Sequence, residues 1–335
     1  MSRDNSKKVI VTGGCGFIGS HLVERLLKDS HQVTVIDNLA TGKKHNLTSV
    51  LDHPKLKIIC KDITNYNTIV PHFKDQDWVF HFSALADIVP SIDNPRKYYE
   101  SNVEGTLNVL EACREMNVKR ILYAASSSCY GIPEKYPTSE KSPIQPQYPY
   151  ALTKFLGEQL LLHWGKVYAL SVVSLRLFNV YGPRARSTGQ YGAVFGVFLA
   201  QKLANKPLTI VGDGTQTRDF TYVSDVVNAF IQAAQSGVEG VFNVGSGGSY
   251  SVNELADMLG GKRVFIPKRP GEPDCTLADI TKIKKRLKWE PKVSFQAGVK
   301  ILIAEIESWK DAPVWTPESI KKATHLWFKY LRDSQ

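Results

Sequence analysis

The stretch that decides the fold is Thr12-Gly13-Gly14-Cys15-Gly16-Phe17-Ile18-Gly19-Ser20. Gly14, Gly16 and Gly19 fit the spacing GxGxxG, and Gly13, Gly16 and Gly19 fit the wider GxxGxxG. Glycines so placed let the backbone turn tightly and approach a pyrophosphate, and the last lets a helix lie close to a strand. The run just before, Lys8-Val9-Ile10-Val11-Thr12, is β-branched like a buried strand, and residues 18–28 have helical spacing. The unpaired N–H groups that open such a helix favour phosphate oxygens. Asp37 closes the next strand-like run, 18 positions past Gly19. A carboxylate there accepts hydrogen bonds from adenosine ribose hydroxyls and repels a 2′-phosphate, so NAD is expected rather than NADP. Lys43 and Lys44 nearby carry the opposite charge.

Outward from this turn, short apolar runs at 32–37, 56–60, 77–82, 119–124 and 170–176 alternate with helical patterns at 95–116 and 149–167. Repeated strand, helix and strand predicts a doubly wound parallel α/β sheet of the Rossmann type. After about residue 178 the pattern changes. Helices are expected at 191–204, 223–235, 252–259, 279–287, 295–309 and 317–332, with short strands at 208–211 and 240–244. The expected division is an NAD-binding domain over 1–178, with a return of the chain to it near 220–246, and a smaller C-terminal α/β substrate lobe over 179–335.

Hydrophobic residues make up 43% of the 335, enough for a large core. No apolar run reaches the ~18 residues that span a bilayer, and the start, MSRDNSKK, is polar. A cytoplasmic enzyme with no membrane partner is expected. The five cysteines are scattered and form no CxxC pair, so neither a disulfide framework nor a metal site is expected. The net charge of +10 is spread along the chain and suits an anionic small molecule better than nucleic acid.

Tyr150-Ala-Leu-Thr-Lys154 puts a phenol and an amine on one helical face. An ammonium beside a phenol stabilises the phenolate and makes it a usable general base. Upstream, Ala124-Ala125-Ser126-Ser127-Ser128-Cys129-Tyr130-Gly131 follows a predicted strand. Strand ends are where ligands bind in open α/β sheets, and a serine there can donate to a substrate oxygen.

With these motifs in view, the chain resembles the extended short-chain dehydrogenases/reductases of the NAD-dependent epimerase/dehydratase family. The likeness runs from TGGCGFIGSH through SSSCYG and YALTK to RPGEPDCTLADITK. It implies a catalytic set of Ser126, Tyr150 and Lys154, with Lys154 also holding the nicotinamide ribose. Phe17 and Ile18 in the turn and Asn38 beside Asp37 join the cofactor contacts. Asp62 with Ile63 matches the adenine contact, Ser83 and Ala84 the stretch lining the cofactor, and Asn102 a polar position beneath it. Ser127 and Ser128 fall on the substrate side. Asn179, Arg218 and Arg269 match positions that bind the nucleotide diphosphate, where an arginine fork suits phosphate oxygens.

The resemblance also separates reactions. Sugar-nucleotide 4,6-dehydratases carry Thr-Asp-Glu where this chain has Ser126-Ser127-Ser128, and glucuronate decarboxylases usually keep a Glu at the Ser128 position. The serine-rich form is similar to 4-epimerases, especially those acting on UDP-N-acetylhexosamines. Thr276 falls where a large aromatic restricts some epimerases to sugars without an N-acetyl group, so UDP-N-acetylglucosamine, its uronic acid or UDP-glucose is the expected substrate. A decarboxylase, dehydratase or reductase on a similar sugar is the first alternative, and a non-catalytic NAD-sensing or RNA-binding protein the second. The helices at 95–116 and 149–167 match those that pair into a homodimer in the family. Asp87 departs from the family pattern and receives no role.

Overall fold

The computed structural model describes residues 6–185 and 193–331. Seven strands form one parallel sheet: β1 (Lys8–Thr12), β2 (Gln32–Asp37), β3 (Leu56–Cys60), β4 (Trp78–His81), β5 (Arg120–Ser126), β6 (Ser171–Leu177) and β7 (Gly240–Val244), in the order β7-β6-β5-β4-β1-β2-β3. Their near-continuous apolar sequences follow from burial on both faces. Val9 and Val11 of β1 enter one apolar layer and Ile10 the other. The first layer is covered by α1 (Phe17–Lys28), Val223–Gln235 and Thr281–Leu287. The second is covered by α2 (Gly105–Glu115) and α3 (Pro149–Tyr168). Strand order reverses between β1 and β4, which opens a crevice beyond their carboxyl ends.

The pattern at 95–116 becomes Pro95–Tyr99, a π turn at Glu100–Glu104, and α2. The helix expected at 149–167 runs to Tyr168 and stops where Ala169 takes a left-handed φ of 53°. Residues 240–244 pair with β6, so that short strand completes the main sheet. Three two-stranded pairs build the second half: Val180–Tyr181 with Thr221–Tyr222, Thr217–Arg218 with Tyr250–Ser251, and Leu208–Val211 with Arg263–Ile266. The helix expected at 191–204 is α4 (Val194–Leu203), and residues 191 and 192 lie outside the described residues. The single helix expected at 317–332 is two, Pro317–Ala323 and His325–Tyr330. The Thr324 hydroxyl between them turns back to the Ile320 carbonyl. Residue 332 lies outside the described residues.

A ring cluster holds the second half together. Tyr181 stacks on Phe195 at 4.6 Å, and Phe220 on Phe295 at 5.2 Å. This core continues to Trp309 and Trp327 near the C-terminus and to Val89 after β4, so it joins the two halves. Beneath α3 lies a buried ion pair, Arg176 to Glu158 at 2.6 Å. Charges there are tolerated because their other bonds are made: Ser174 donates to Glu158 at 2.7 Å, and Arg176 donates to the Tyr130 hydroxyl at 2.8 Å. No described helix is long and apolar enough to cross a membrane, and no cluster of metal-ligating side chains occurs among the described residues.

Candidate active site

The crevice opens into a cavity of about 910 Å³. At one end the glycine turn leaves no room for side chains. Gly13 has a φ of +71°, and a Cβ there would come within 2.7 Å of the Ser83 nitrogen. A Cβ on Gly19 would strike the Gly13 carbonyl oxygen. The turn opens α1 from Gly16, and no side chain caps that helix start. Its N–H groups are thus left for an anion.

Asp37 is buried at the end of β2. Its carboxylate accepts the Cys15 N–H at 3.0 Å and the Leu39 N–H at 2.8 Å. Burial pushes its pKa up, and these two bonds work against that rise. Next to it, Asn38 donates to Asp62 at 2.6 Å, while Thr64 donates to the other carboxylate oxygen. Burial opposes ionisation of Asp62, but the bonds from Thr64 and Asn38 prevail and its pKa lies below the usual value.

Behind the middle of the cavity runs a buried polar chain. The Thr106 hydroxyl donates to the Asn102 carbonyl at 2.6 Å, so it accepts from His81 Nε2 at 3.0 Å. His81 Nδ1 is then the acceptor for Thr12 Oγ1 at 2.7 Å. Burial holds the His81 pKa down at about 3, with Lys154 adding in the same sense, so the ring is neutral. The Asn102 side chain accepts from the Leu85 N–H at 2.8 Å and donates to the Leu85 carbonyl and to Thr153 Oγ1. One amide in the π turn thereby fixes both the segment after β4 and the helix that carries Tyr150.

Tyr150 and Lys154 lie on the first turns of α3, and Ser126 ends β5. Ser126 and Ser128 share a hydrogen bond at 2.8 Å. Lys154 is 4% exposed, and its Nζ sits 4.1 Å from the centre of the Tyr123 ring. Burial lowers its pKa to about 7, against a smaller raising effect of Glu158. Tyr150 differs from the sequence expectation: burial raises its pKa, and the bond from Ser126 is what opposes the rise. Desolvation dominates because both groups lie in a low-dielectric wall, a fact that their spacing in the chain does not convey.

On the substrate side, Asn179 donates to Thr276 Oγ1 at 2.8 Å and to the Asp219 carbonyl at 3.2 Å. Thr276 Oγ1 also accepts the Asp219 N–H at 3.1 Å, which leaves its own proton to donate. Asp219 is fully buried and gathers N–H groups from Ser246, Gly247 and Ala278. Arg218 lines the cavity and faces Glu272 at 3.8 Å. Arg269 stands behind Glu272, bonded to it at 2.9 Å, and does not line the cavity. Apart from Gly14, Arg269 and the supporting Asn102, the site residues named from the sequence line this one cavity. Sequence reasoning missed Thr12, His81 and Thr106, which lie far apart in the chain and match no spacing rule. It also missed Glu272 and the wall made by residues 307–315.

Against this geometry the comparisons are consistent. The family described as NAD dependent epimerase/dehydratase matches residues 9–245. A putative UDP-glucose 4-epimerase of Methanocaldococcus jannaschii is 36% identical over 303 residues, 88% of this chain and 97% of that protein. UDP-glucuronic acid decarboxylase 1 of Xenopus tropicalis is 33% identical over 310 residues, 89% of this chain and 72% of that protein. The solved UDP-N-acetylglucosamine 4-epimerase of Methanobrevibacter ruminantium, in complex with UDP-N-acetylmuramic acid, is similar with a TM-score of 0.84 and 36% identity, covering 90% of this chain and 99% of that one. The UDP-glucuronic acid 4-epimerase of Bacillus cereus, in complex with UDP-glucuronic acid and NAD, has a TM-score of 0.84 and 34% identity, covering 90% and 99%.

Proposed function

The chain belongs to the NAD dependent epimerase/dehydratase family, and from that premise we propose that it is a nucleotide-sugar 4-epimerase working with bound NAD. The observation that carries this reading is the turn at Ser126–Ser128, which lines the cavity with Tyr150 and Lys154, offers it hydroxyls and itself carries no carboxylate. By the family resemblance, 4,6-dehydratases carry an Asp and a Glu at this turn that perform the elimination of water, and glucuronate decarboxylases usually keep a Glu at the Ser128 position. Epimerisation asks of the protein's own residues only a proton acceptor and donor at the C4 oxygen, because the hydride is left to bound NAD.

The residues present fit NAD. The glycine cradle has no space for a Cβ, and Asp37 is held for two further hydrogen bonds. Gly13, Gly16, Phe17, Ile18 and Gly19 would hold the pyrophosphate, Asp37 and Asn38 a ribose, and Asp62 and Ile63 the adenine. Ser83, Ala84 and Lys154 would hold the nicotinamide end, with Asn102 as their support. When bound, NAD supplies a reversible hydride acceptor at sugar C4 and is regenerated. Tyr150 takes the C4 hydroxyl proton and later returns it, Ser126 donates to the same oxygen, and Lys154 orients the ribose and, when protonated, would offset the burial that raises the Tyr150 pKa. Asn179, Arg218 and Arg269 would fix the diphosphate, so the sugar can turn while its nucleotide stays in place.

UDP-N-acetylglucosamine, its uronic acid or UDP-glucose is the proposed substrate; the names of similar epimerases support UDP-N-acetylglucosamine and UDP-glucose. Incubation with a panel of UDP-sugars and product analysis by NMR tests this: C4 epimers should interconvert without net NADH. A pentose product, a 6-deoxy-4-keto product or accumulating NADH would overturn it. A homodimer belongs to the same reading. Tyr99 is 46% exposed and borders an apolar groove with Val103, Leu156 and Leu160, and Leu152 on α3 is 45% exposed. Light scattering that gives a monomer across working concentrations would exclude that pairing. The cytoplasmic location and the division into 1–178 and 179–335, with 220–246 returning to the first, complete the proposal.

A further inference from the structure

The segment from Ile306 to Leu331 forms part of the cavity wall. A turn at Ile306–Trp309 packs beside α4, and Gln201 on that helix is fully buried. Gln201 donates to the Trp315 carbonyl at 2.7 Å, while its other bonds go to Thr209 at 2.9 and 3.1 Å. Trp309, Lys310 and Trp315 line the cavity. The chain then enters Pro317–Ala323, whose start is fixed by reciprocal bonds between Thr316 and Ser319. It ends in His325–Tyr330, whose Trp327 shares an apolar cluster with Val89, Ile88 and Ile92 of the segment after β4. The C-terminal segment therefore runs along the cavity wall from the substrate side back to the sheet.

Trp327 is the fixed point of this wall. It is 1% exposed, and its indole N–H donates to the Pro270 carbonyl at 2.7 Å. The Arg269 guanidinium lies over its ring at 5.5 Å. On another side its ring lies 6.1 Å from Tyr148, whose ring is parallel to that of Tyr150 within 6° at 6.5 Å. One side chain thus touches both the loop that carries Arg269 and the neighbour of the proposed base. Glu272 holds Arg269 at 2.9 Å and faces Arg218 at 3.8 Å, so a diphosphate between the arginines must take over the place of that carboxylate.

We infer that Trp327 is a positioning residue for the nucleotide diphosphate: it pins the loop at Pro270 and keeps Arg269 within reach when Glu272 is displaced. The inference rests on the nucleotide-sugar reading. The planar guanidinium keeps its place over the indole face while its N–H groups change partner, which a flexible aliphatic neighbour would not enforce. The nucleotide end is then bound by a loop that is anchored before the ligand arrives, so less ordering is needed on binding.

The test uses the full chain and UDP as probe. Trp327→Phe keeps a ring and removes the N–H; Trp327→Leu also removes the π face. Calorimetry should show UDP binding weakened by about fivefold in Trp327→Phe, as one lost neutral hydrogen bond implies, and by about thirtyfold in Trp327→Leu, where the cation–π contact goes too. NAD affinity should stay within about twofold, and KM for the UDP-sugar should rise with little change in kcat. If Trp327→Leu fails to fold, Trp327→Phe carries the test alone. Unchanged UDP binding in Trp327→Phe overturns the inference, as does a parallel loss of NAD affinity, which would mark general loosening. Wild-type protein that does not bind UDP overturns the nucleotide-sugar reading itself, and this inference with it.

Discussion

Replacing Lys154 by methionine should make the cofactor-free protein more stable while abolishing its activity. Lys154 is buried, and burial takes its pKa from 10.5 to about 7. Such a difference, at about 1.4 kcal/mol per pH unit, corresponds to a cost of about 5 kcal/mol in its charged form. The contact with the Tyr123 ring at 4.1 Å returns up to about 2 kcal/mol. Methionine fills a similar volume without charge, so a net gain of roughly 3 kcal/mol follows, or a Tm higher by about 5 °C in a chain of this size. The pH dependence is the sharper signature. The unfolded lysine holds its proton up to about pH 10.5, the folded one only below about 7. The cost is therefore absent above the unfolded value, grows as pH falls, and is complete below about 7. Thermal unfolding of both proteins at pH 7 and pH 9 should show the methionine advantage largest at pH 7. A variant less stable than wild type at pH 7, or an advantage that grows with pH, would refute the burial argument.

Tyr150→Phe should lower turnover by at least about 100-fold with folding retained, because it removes the proposed proton acceptor and keeps the ring; a near-normal kcat would exclude the assignment. Asp37→Asn should narrow the preference for NAD over NADP by removing the charge that repels a 2′-phosphate, which calorimetry with both dinucleotides checks. Thr276→Tyr should remove activity on acetamido sugars while sparing plain hexoses, read as the ratio of their kcat/KM values; an unchanged ratio would show that other residues set the pocket.

The parts of the molecule governed by local rules were legible in the sequence. The glycine turn needs particular backbone space at fixed offsets, and the structure puts Gly13 and Gly19 where any Cβ collides. The parts governed by tertiary neighbours were not legible. His81 reads as one more residue of an apolar strand, and its partners Thr12 and Thr106 lie 69 and 25 positions away. The spacing of Tyr150 and Lys154 gave their shared face but not their desolvation, so the direction of the phenol's shift came out opposite to expectation. Arg269 was placed on the substrate by resemblance, whereas in the structure Glu272 takes its guanidinium and it does not line the cavity. Helical spacing over 317–332 also hid the break at Thr324, because a threonine that bonds back to its own helix leaves the apolar period intact.

The pairing of Thr12 with His81 has a consequence for how the chain finds its alignment. β1 and β4 are neighbours in the middle of the sheet, matched Val9 to Trp78, Ile10 to Val79, Val11 to Phe80 and Thr12 to His81. A strand with one wet face is locked in place because a one-residue slip turns its apolar set outward. Here both faces are dry, and a slipped β1 would bury nearly the same apolar surface, so hydrophobic burial barely distinguishes right from wrong. The hydroxyl and the imidazole do distinguish them. Shifted by one residue, each would be left unpaired in the interior at a cost of about 1–3 kcal/mol, and the chain through Thr106 to Asn102 would be cut. Two polar side chains at the strand ends thus mark the frame in which the whole central sheet is assembled.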